Sequence, residues 1–232
     1  MRLKWPRMFG ARQTAPALYY DRTYLKRYSA STDQRVDDNP HEAVGGLWDE
    51  LGQLQFEFLI RRGLQAHDRL LDIGCGTLRG GRHFIRYLDI DGYTGLDISP
   101  KAIEYAEVLV QREGLVEKKP RLVLSKQNDL RFHEFSSETF EYLLAQSVFT
   151  HLPAAPIEEC FRFVGSIMTS TSRFFFTYNE ASRPRQTSFK DFGYPKSFFK
   201  TLAKAYQFEL HDWSPDYPHP RGQRMLSIQP QR

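Results

Sequence analysis

The stretch Arg69-Leu70-Leu71-Asp72-Ile73-Gly74-Cys75-Gly76-Thr77-Leu78-Arg79-Gly80-Gly81 constrains this chain more than any other. An apolar run of strand length passes straight into glycines and then into a helical pattern. Glycines at 74 and 76 permit a tight turn and let a ligand come close to the main chain. The helix start behind them offers free amides and positive dipole. A dinucleotide loop, G-x-G-x-x-G, needs a third glycine at 79, where Arg79 stands. A P-loop needs Lys-Ser/Thr after its last glycine, and none follows. Asp72 puts a carboxylate near the end of an otherwise apolar strand, which is costly unless it is paired. Such a charge repels a diphosphate and attracts the ammonium of an amino-acid tail.

The remaining pattern alternates short apolar runs with helical ones. Leu47, Leu51, Leu54, Phe58 and Leu59 recur at helical spacing, with Gly63 as a stop. Strands are predicted at Arg69–Ile73, Gly92–Leu96, Arg121–Ser125, Phe140–Gln146 and Arg173–Tyr178. Helices are predicted at Arg79–Tyr87, Pro100–Arg112, Ala155–Met168 and Pro195–Ala205. Phe208–Trp213 and Arg224–Gln229 close the chain with too few residues between them for a helix, so they should form a hairpin. The expected fold is a Rossmann-like, doubly wound α/β domain: a mostly parallel seven-stranded sheet whose last strand is antiparallel. Ligands in such sheets sit beyond the C-terminal ends of the strands.

Charge divides the chain in two. Residues 1–35 hold eight Lys/Arg and two Asp/Glu, and the remainder holds 24 against 26. The basic balance therefore belongs to an N-terminal arm, residues 1–46, which reads as irregular around Pro6, Pro16, Pro40 and Gly45-Gly46. Its aromatics (Trp5, Phe9, Tyr19, Tyr20, Tyr24, Tyr28) suit a lid over a site as well as a solvated tail. The body, residues 47–232, shows no basic stripe, which argues against a nucleic-acid partner. No apolar run approaches membrane-spanning length and no signal-peptide core follows the basic start, so the expected location is the cytoplasm. Two cysteines, Cys75 and Cys160, rule out a disulfide framework or a Cys-rich zinc site. No His/Asp/Glu spacing suggests any other metal site.

Tyr93-Thr94-Gly95-Leu96-Asp97-Ile98-Ser99 is the second informative stretch. Asp97 ends the second strand 25 residues after Asp72, where a carboxylate can accept from both hydroxyls of a ribose and disfavours a 2′-phosphate. Ser99-Pro100 also reads as an ordinary helix entry.

Together these residues resemble the class I S-adenosylmethionine (SAM)-dependent methyltransferases. Leu71-Asp72-Ile73-Gly74-Cys75-Gly76 is similar to the family's first motif, and Gly95-Leu96-Asp97-Ile98-Ser99 to its second. Gln127-Asn128-Asp129-Leu130 resembles the adenine-edge motif, and Tyr142–Pro153 the post-fourth-strand motif of the small-molecule branch. The resemblance spans roughly residues 47–229. It implies that Gly74, Cys75 and Gly76 line the methionine moiety of SAM with Asp72 near its amino group. Asp97 would hold the ribose and Ile98 pack on the adenine, with Asp129 and Leu130 at its rim. Gln146 would lie beneath the cofactor, and Gln55 is a further neighbour of its tail. A glycine common in the family is replaced by Leu78, and Arg79 is a candidate for the cofactor carboxylate.

The acceptor is expected to be a small molecule, since the N/D-P-P-Y/F pattern of nucleobase and amide N-methylation is absent. His151 follows the fourth strand at the rim and is the candidate base. His133, His211 and His219 are weaker candidates. Asn179, Glu180 and Tyr194, around the polar loop 182–193, are candidate acceptor ligands, and Phe189 and Phe192 could stack on a sugar face. The expectation is O-methylation of a sugar or secondary metabolite, with small-molecule N-methylation or non-catalytic SAM binding as alternatives. A homodimer stays open.

Overall fold

The computed structural model describes residues 23–231. Seven helices and nine strands follow in order: α1 Thr23–Asp38, α2 Pro40–Ala43, α3 Trp48–Arg61, β1 Leu70–Ile73, α4 Gly81–Tyr87, β2 Tyr93–Asp97, α5 Pro100–Arg112, β3 Arg121–Leu124, β4 Phe140–Ala145, α6 Ala154–Phe163, β5 Met168–Glu180, β6 Arg185–Gln186, β7 Phe192–Tyr194, α7 Lys196–Ala205, β8 Phe208–Asp212 and β9 Arg224–Pro230.

Seven strands form one sheet in the order β3-β2-β1-β4-β5-β9-β8. The first five run parallel, and β9 lies antiparallel between β5 and β8. The expected doubly wound sheet with its antiparallel last strand is therefore present. The short β6 and β7 extend it at the end of β5, where Asn179 pairs with Gly193 and Glu180 with Tyr194.

Side-chain alternation sorts the core into two layers. Leu71, Ile73, Phe174 and Phe176 face one cluster, and Leu70 and Phe175 face the other. Local chemistry explains several helix starts. Ser99 caps α5 by accepting from the Ala102 amide at 3.0 Å, and Pro100 supplies a fitting φ at the first turn. Asn39 caps α2 in the same way through the His41 and Glu42 amides.

The structure departs from the sequence expectation at three places. Residues 23–43 are not irregular, because α1 and α2 occupy them. Helix α1 is held by tertiary bonds: Ser29 Oγ donates to the Ile98 carbonyl at 2.8 Å, and Asp33 accepts from Ser99 Oγ at 2.6 Å. Trp5, Phe9, Tyr19 and Tyr20 lie outside the described residues. Helix α6 stops at Phe163 rather than Met168, and a 3-10 turn over Val164–Ile167 follows. Strand β5 consequently starts at Met168, opposite Phe140, with an irregular register before Tyr142 pairs with Arg173. Among the described residues, no helix is long and apolar enough to cross a membrane.

Candidate functional site

The C-terminal ends of the parallel strands open into a cavity of about 470 Å³. The glycine turn after β1 supplies Asp72, Gly74, Cys75, Gly76 and Arg79 to its wall. The tip of β2 supplies Asp97 and Ile98, and the loop after β3 supplies Asp129 and Leu130. Gln146 and His151 come from the end of β4 and the turn behind it. Four separate segments thus meet at one place, although the chain separates them by up to 79 residues.

Gly74 and Gly76 have φ of +72° and +54°, a conformation that costs side-chain-bearing residues. The space a Cβ would take is occupied: it would meet Val148 Cγ2 at 2.5 Å from Gly74 and Val44 Cγ1 at 2.6 Å from Gly76. The close approach to this turn thus comes from the chain's own valines. Gly76 donates its amide to Asp97 Oδ2 at 2.9 Å, and Ser99 donates to Oδ1 at 2.8 Å. Asp97 therefore braces the turn while sitting at the cavity wall.

Asp72 is buried and accepts from the Tyr93 hydroxyl at 2.8 Å. Burial pushes its carboxyl up to about 7, only partly opposed by that hydrogen bond. Burial also lowers the Arg79 guanidinium to about 10. Arg79 Nη1 donates to the carbonyls of Val44 at 2.6 Å and Gly46 at 3.1 Å, and its buried Nε has no partner. Gln55, from α3, also lines the cavity with a buried, unpartnered Nε2. Gln146 Oε1 accepts from Tyr217 at 2.8 Å, and Gln223 gathers Ser147 Oγ at 3.0 Å and Thr177 Oγ1 at 2.8 Å beside it.

His151 contacts a main-chain carbonyl through its ring. Its Nδ1 lies 2.8 Å from the Lys190 oxygen and 3.4 Å from Asp191 Oδ1. A carbonyl oxygen only accepts, so Nδ1 carries the proton and Nε2 is left as the basic nitrogen. The hydrogen bond from His151 holds the Asp191 carboxyl down to about 2. Tyr28 of α1 lies against the imidazole at 5.6 Å between ring centroids.

The residues expected to hold an acceptor do not all gather here. Asn179 lines the cavity and donates to the Phe192 carbonyl at 3.1 Å. Glu180 lies off the cavity, exposed and paired with Arg224 at 3.0 Å. Tyr194 is also off the wall, buried, with its hydroxyl on the Leu152 carbonyl at 2.8 Å. Phe192 is buried, and the exposed Phe189 leans on Tyr24 at 5.7 Å. Among the other histidines, His219 lines the cavity, and His133 and His211 do not.

The methyltransferase domain family matches residues 71–174, the span that runs from the glycine turn into β5. Solved structures share the whole architecture. Magnesium protoporphyrin IX methyltransferase from Synechocystis PCC 6803, with bound S-adenosylhomocysteine (SAH), superimposes with a TM-score of 0.63 at 12% identity, covering 88% of this chain and 99% of that one. A SAM-dependent methyltransferase from Clostridium acetobutylicum gives 0.61 at 13% identity, covering 89% and 99%. The phosphoethanolamine N-methyltransferase 2 of Haemonchus contortus gives 0.67 at 13% identity, covering 91% of this chain and 60% of that one. The chain carries a methyltransferase domain over residues 71–174 and has the fold of the class I SAM-dependent methyltransferases. Its cofactor is SAM.

Several residues at this methyltransferase's cavity escape sequence reading. Asp191 and Lys190 reach His151 only through the fold of the 182–193 loop, about forty residues away in the chain. Arg35 sits on a segment whose local pattern carries no motif, and Tyr28, one of the arm aromatics, and Arg221 reach the wall only through the fold. Ser147 has φ of +59°, a strained value for a non-glycine residue, and it lies on the cavity wall after β4. The motif spelling alone does not announce that strain.

Proposed function

We propose that this methyltransferase methylates a hydroxyl oxygen of a small molecule, a sugar or secondary metabolite, with His151 as the base. The observation that carries this reading is the fixed tautomer of His151. Lys190 and Asp191 hold its Nδ1–H, which leaves Nε2 to accept a proton within the cavity that SAM would share.

The residues present fit SAM. Asp72 offers a buried carboxylate to an amino group, and the unpartnered Arg79 Nε offers a donor to a carboxylate. Asp97 stands at the tip of β2 with both oxygens already oriented by amides, suited to accept from ribose hydroxyls. Ile98 and Leu130 supply apolar contact for a purine, with Asp129 beside them. When bound, SAM supplies a methyl group on a sulfonium, an electrophile that mainly needs an aligned nucleophile. The chain's part is orientation and proton removal. Asn179 and the 182–193 loop border the acceptor side, where His151 Nε2 would take the hydroxyl proton. One solved neighbour is in complex with phosphomonomethylethanolamine and SAH, which supports a small molecule as the acceptor.

Thermal-shift series with SAH, SAM, NAD and NADP test the cofactor half. A ligand at a hundred times its dissociation constant stabilises a fold by about 2.7 kcal/mol. Stabilisation by SAH and SAM alone is expected, and a response to NAD instead would overturn it. Production of SAH with hydroxyl-bearing acceptors but not with their amine analogues tests the oxygen half. The reverse preference would favour N-methylation.

A further inference from the structure

One stretch of the cavity wall gathers more cationic groups than the single carboxylate of SAM can use, although Glu42, Asp72, Asp97, Asp129 and Asp191 line the same cavity. Arg35 Nη1 donates to the Ala43 carbonyl at 3.2 Å. Arg79 Nη1 donates to Val44 and Gly46, and Arg221 Nη2 donates to Gly45. Three guanidiniums are therefore strung along four consecutive carbonyls, 43–46. Lys190 joins them from the loop that holds His151. All four side chains line the same cavity.

None of the four makes an ion pair among the described residues. Glu42 also lines the cavity but pairs with none of them, and Asp191 faces His151. The four groups feel one another. Burial first, and then the charges of Arg35 and Arg221, lowers the Lys190 ammonium against the opposing charge of Asp191, and Arg221 bears on Arg79 in the same direction while Asp72 opposes it. Cations without ion pairs, gathered in a half-enclosed space, are stabilised further when an anion joins them.

His219 adds a neutral donor. It is 7% exposed, and its Nδ1 accepts from the Arg221 amide at 3.1 Å. The proton therefore sits on Nε2, which is buried and unpartnered. A lining of guanidinium forks, an ammonium and an imidazole N–H is the donor set of a carboxylate or phosphate site.

We propose that the acceptor is itself an acid: a small hydroxy compound whose carboxylate or phosphate is anchored by Arg35, Lys190, Arg221 and His219. Arg79 is left to the cofactor. The anchor holds the acceptor with its hydroxyl toward His151, so this inference rests on the O-methyltransferase reading and names its substrate class.

Isothermal titration of the SAH-saturated protein with inorganic phosphate, glucuronate and glucose tests the site. Heat from at least one anion, and none from glucose, is the expected result. Phosphate alone would assign a phosphorylated acceptor, and glucuronate alone a carboxylated one. Arg221→Gln and Lys190→Met should each weaken the anion by about tenfold or more, the loss of one charge-assisted bond, with SAH affinity unchanged. Three outcomes overturn the proposal: no anion heat while SAH binds, glucose binding as well as glucuronate, or anion binding indifferent to both substitutions. A loss of SAH affinity in the two variants would also overturn it by assigning the cluster to the cofactor. Failure of SAH to bind the unaltered protein would instead remove the reading of the cavity beneath it.

Discussion

Tyr24 donates its hydroxyl to the main-chain oxygen of His151 at 2.6 Å, joining α1 to the turn after β4 across 127 residues. The bond fixes the backbone of the proposed base, whose ring is held separately by Lys190. Tyr24→Phe should cost about 1 kcal/mol of stability, the usual net value of such a bond. It should also lower kcat, with little change in SAH affinity. Urea denaturation and steady-state kinetics check both. An unchanged kcat would confine the bond to a structural role.

Removing the imidazole should act on turnover alone. His151→Ala is expected to cut kcat by about 10²–10⁴-fold, the typical range for a general base, while SAH binds as before. Asp191→Asn should cost about tenfold in kcat through loss of orientation, with the acceptor KM nearly constant. Single-turnover methylation with a radiolabelled methyl group measures both. Full turnover by His151→Ala would remove the residue from the mechanism.

Asp97 has two duties that one substitution would confuse. Asp97→Ala releases the Gly76 and Ser99 amides as well as the proposed ribose contact. Its expected stability loss is about 3–6 kcal/mol, since two bonds to a charged acceptor are lost and each is worth about 1.5–3 kcal/mol. Asp97→Asn keeps one oxygen acceptor and should fold better, yet still lose about tenfold or more in SAH affinity. Denaturation curves beside SAH titrations separate the two duties. Wild-type affinity in the Asn variant would exclude a ribose role for the carboxylate.

Asp72 should make cofactor binding release a proton. Its carboxyl is raised from 3.8 to about 7 in the free protein, so near pH 6 it is largely protonated. An ammonium placed beside it favours the carboxylate and lowers that value again. The bound state then holds fewer protons than the free state, so affinity rises with pH until it passes about 7. Calorimetry at pH 6 in buffers of different ionisation enthalpy measures the released proton. Asp72→Asn should abolish the release.

The order of the seven main strands and their helices from Leu70 onward was legible in the sequence because each signal there is local, whereas β6 and β7 lie in what read as a polar loop. Ser99-Pro100 announces α5 by cap chemistry, and the glycines after Ile73 announce the turn by their conformational freedom. Helix α1 was not legible. Its composition is polar, and what holds it is Ser29 on Ile98 and Asp33 on Ser99, more than sixty residues away. All ten sequence-selected cofactor candidates line the cavity. Glu180 and Tyr194 were chosen by proximity to a strand end, and alternation along β5 and β7 turned them away from the cavity. Asp191 and Lys190 carry no motif, because only the closed fold gives them neighbours.

Strand β9 enters the sheet between β5 and β8, and the segment just before it brings His219, Arg221 and Gln223 to the cavity. That part of the wall therefore depends on the antiparallel pairing of β9 with β5, so loosening this one pair of strands would withdraw three lining residues from the cavity and leave the glycine turn and the tip of β2 intact.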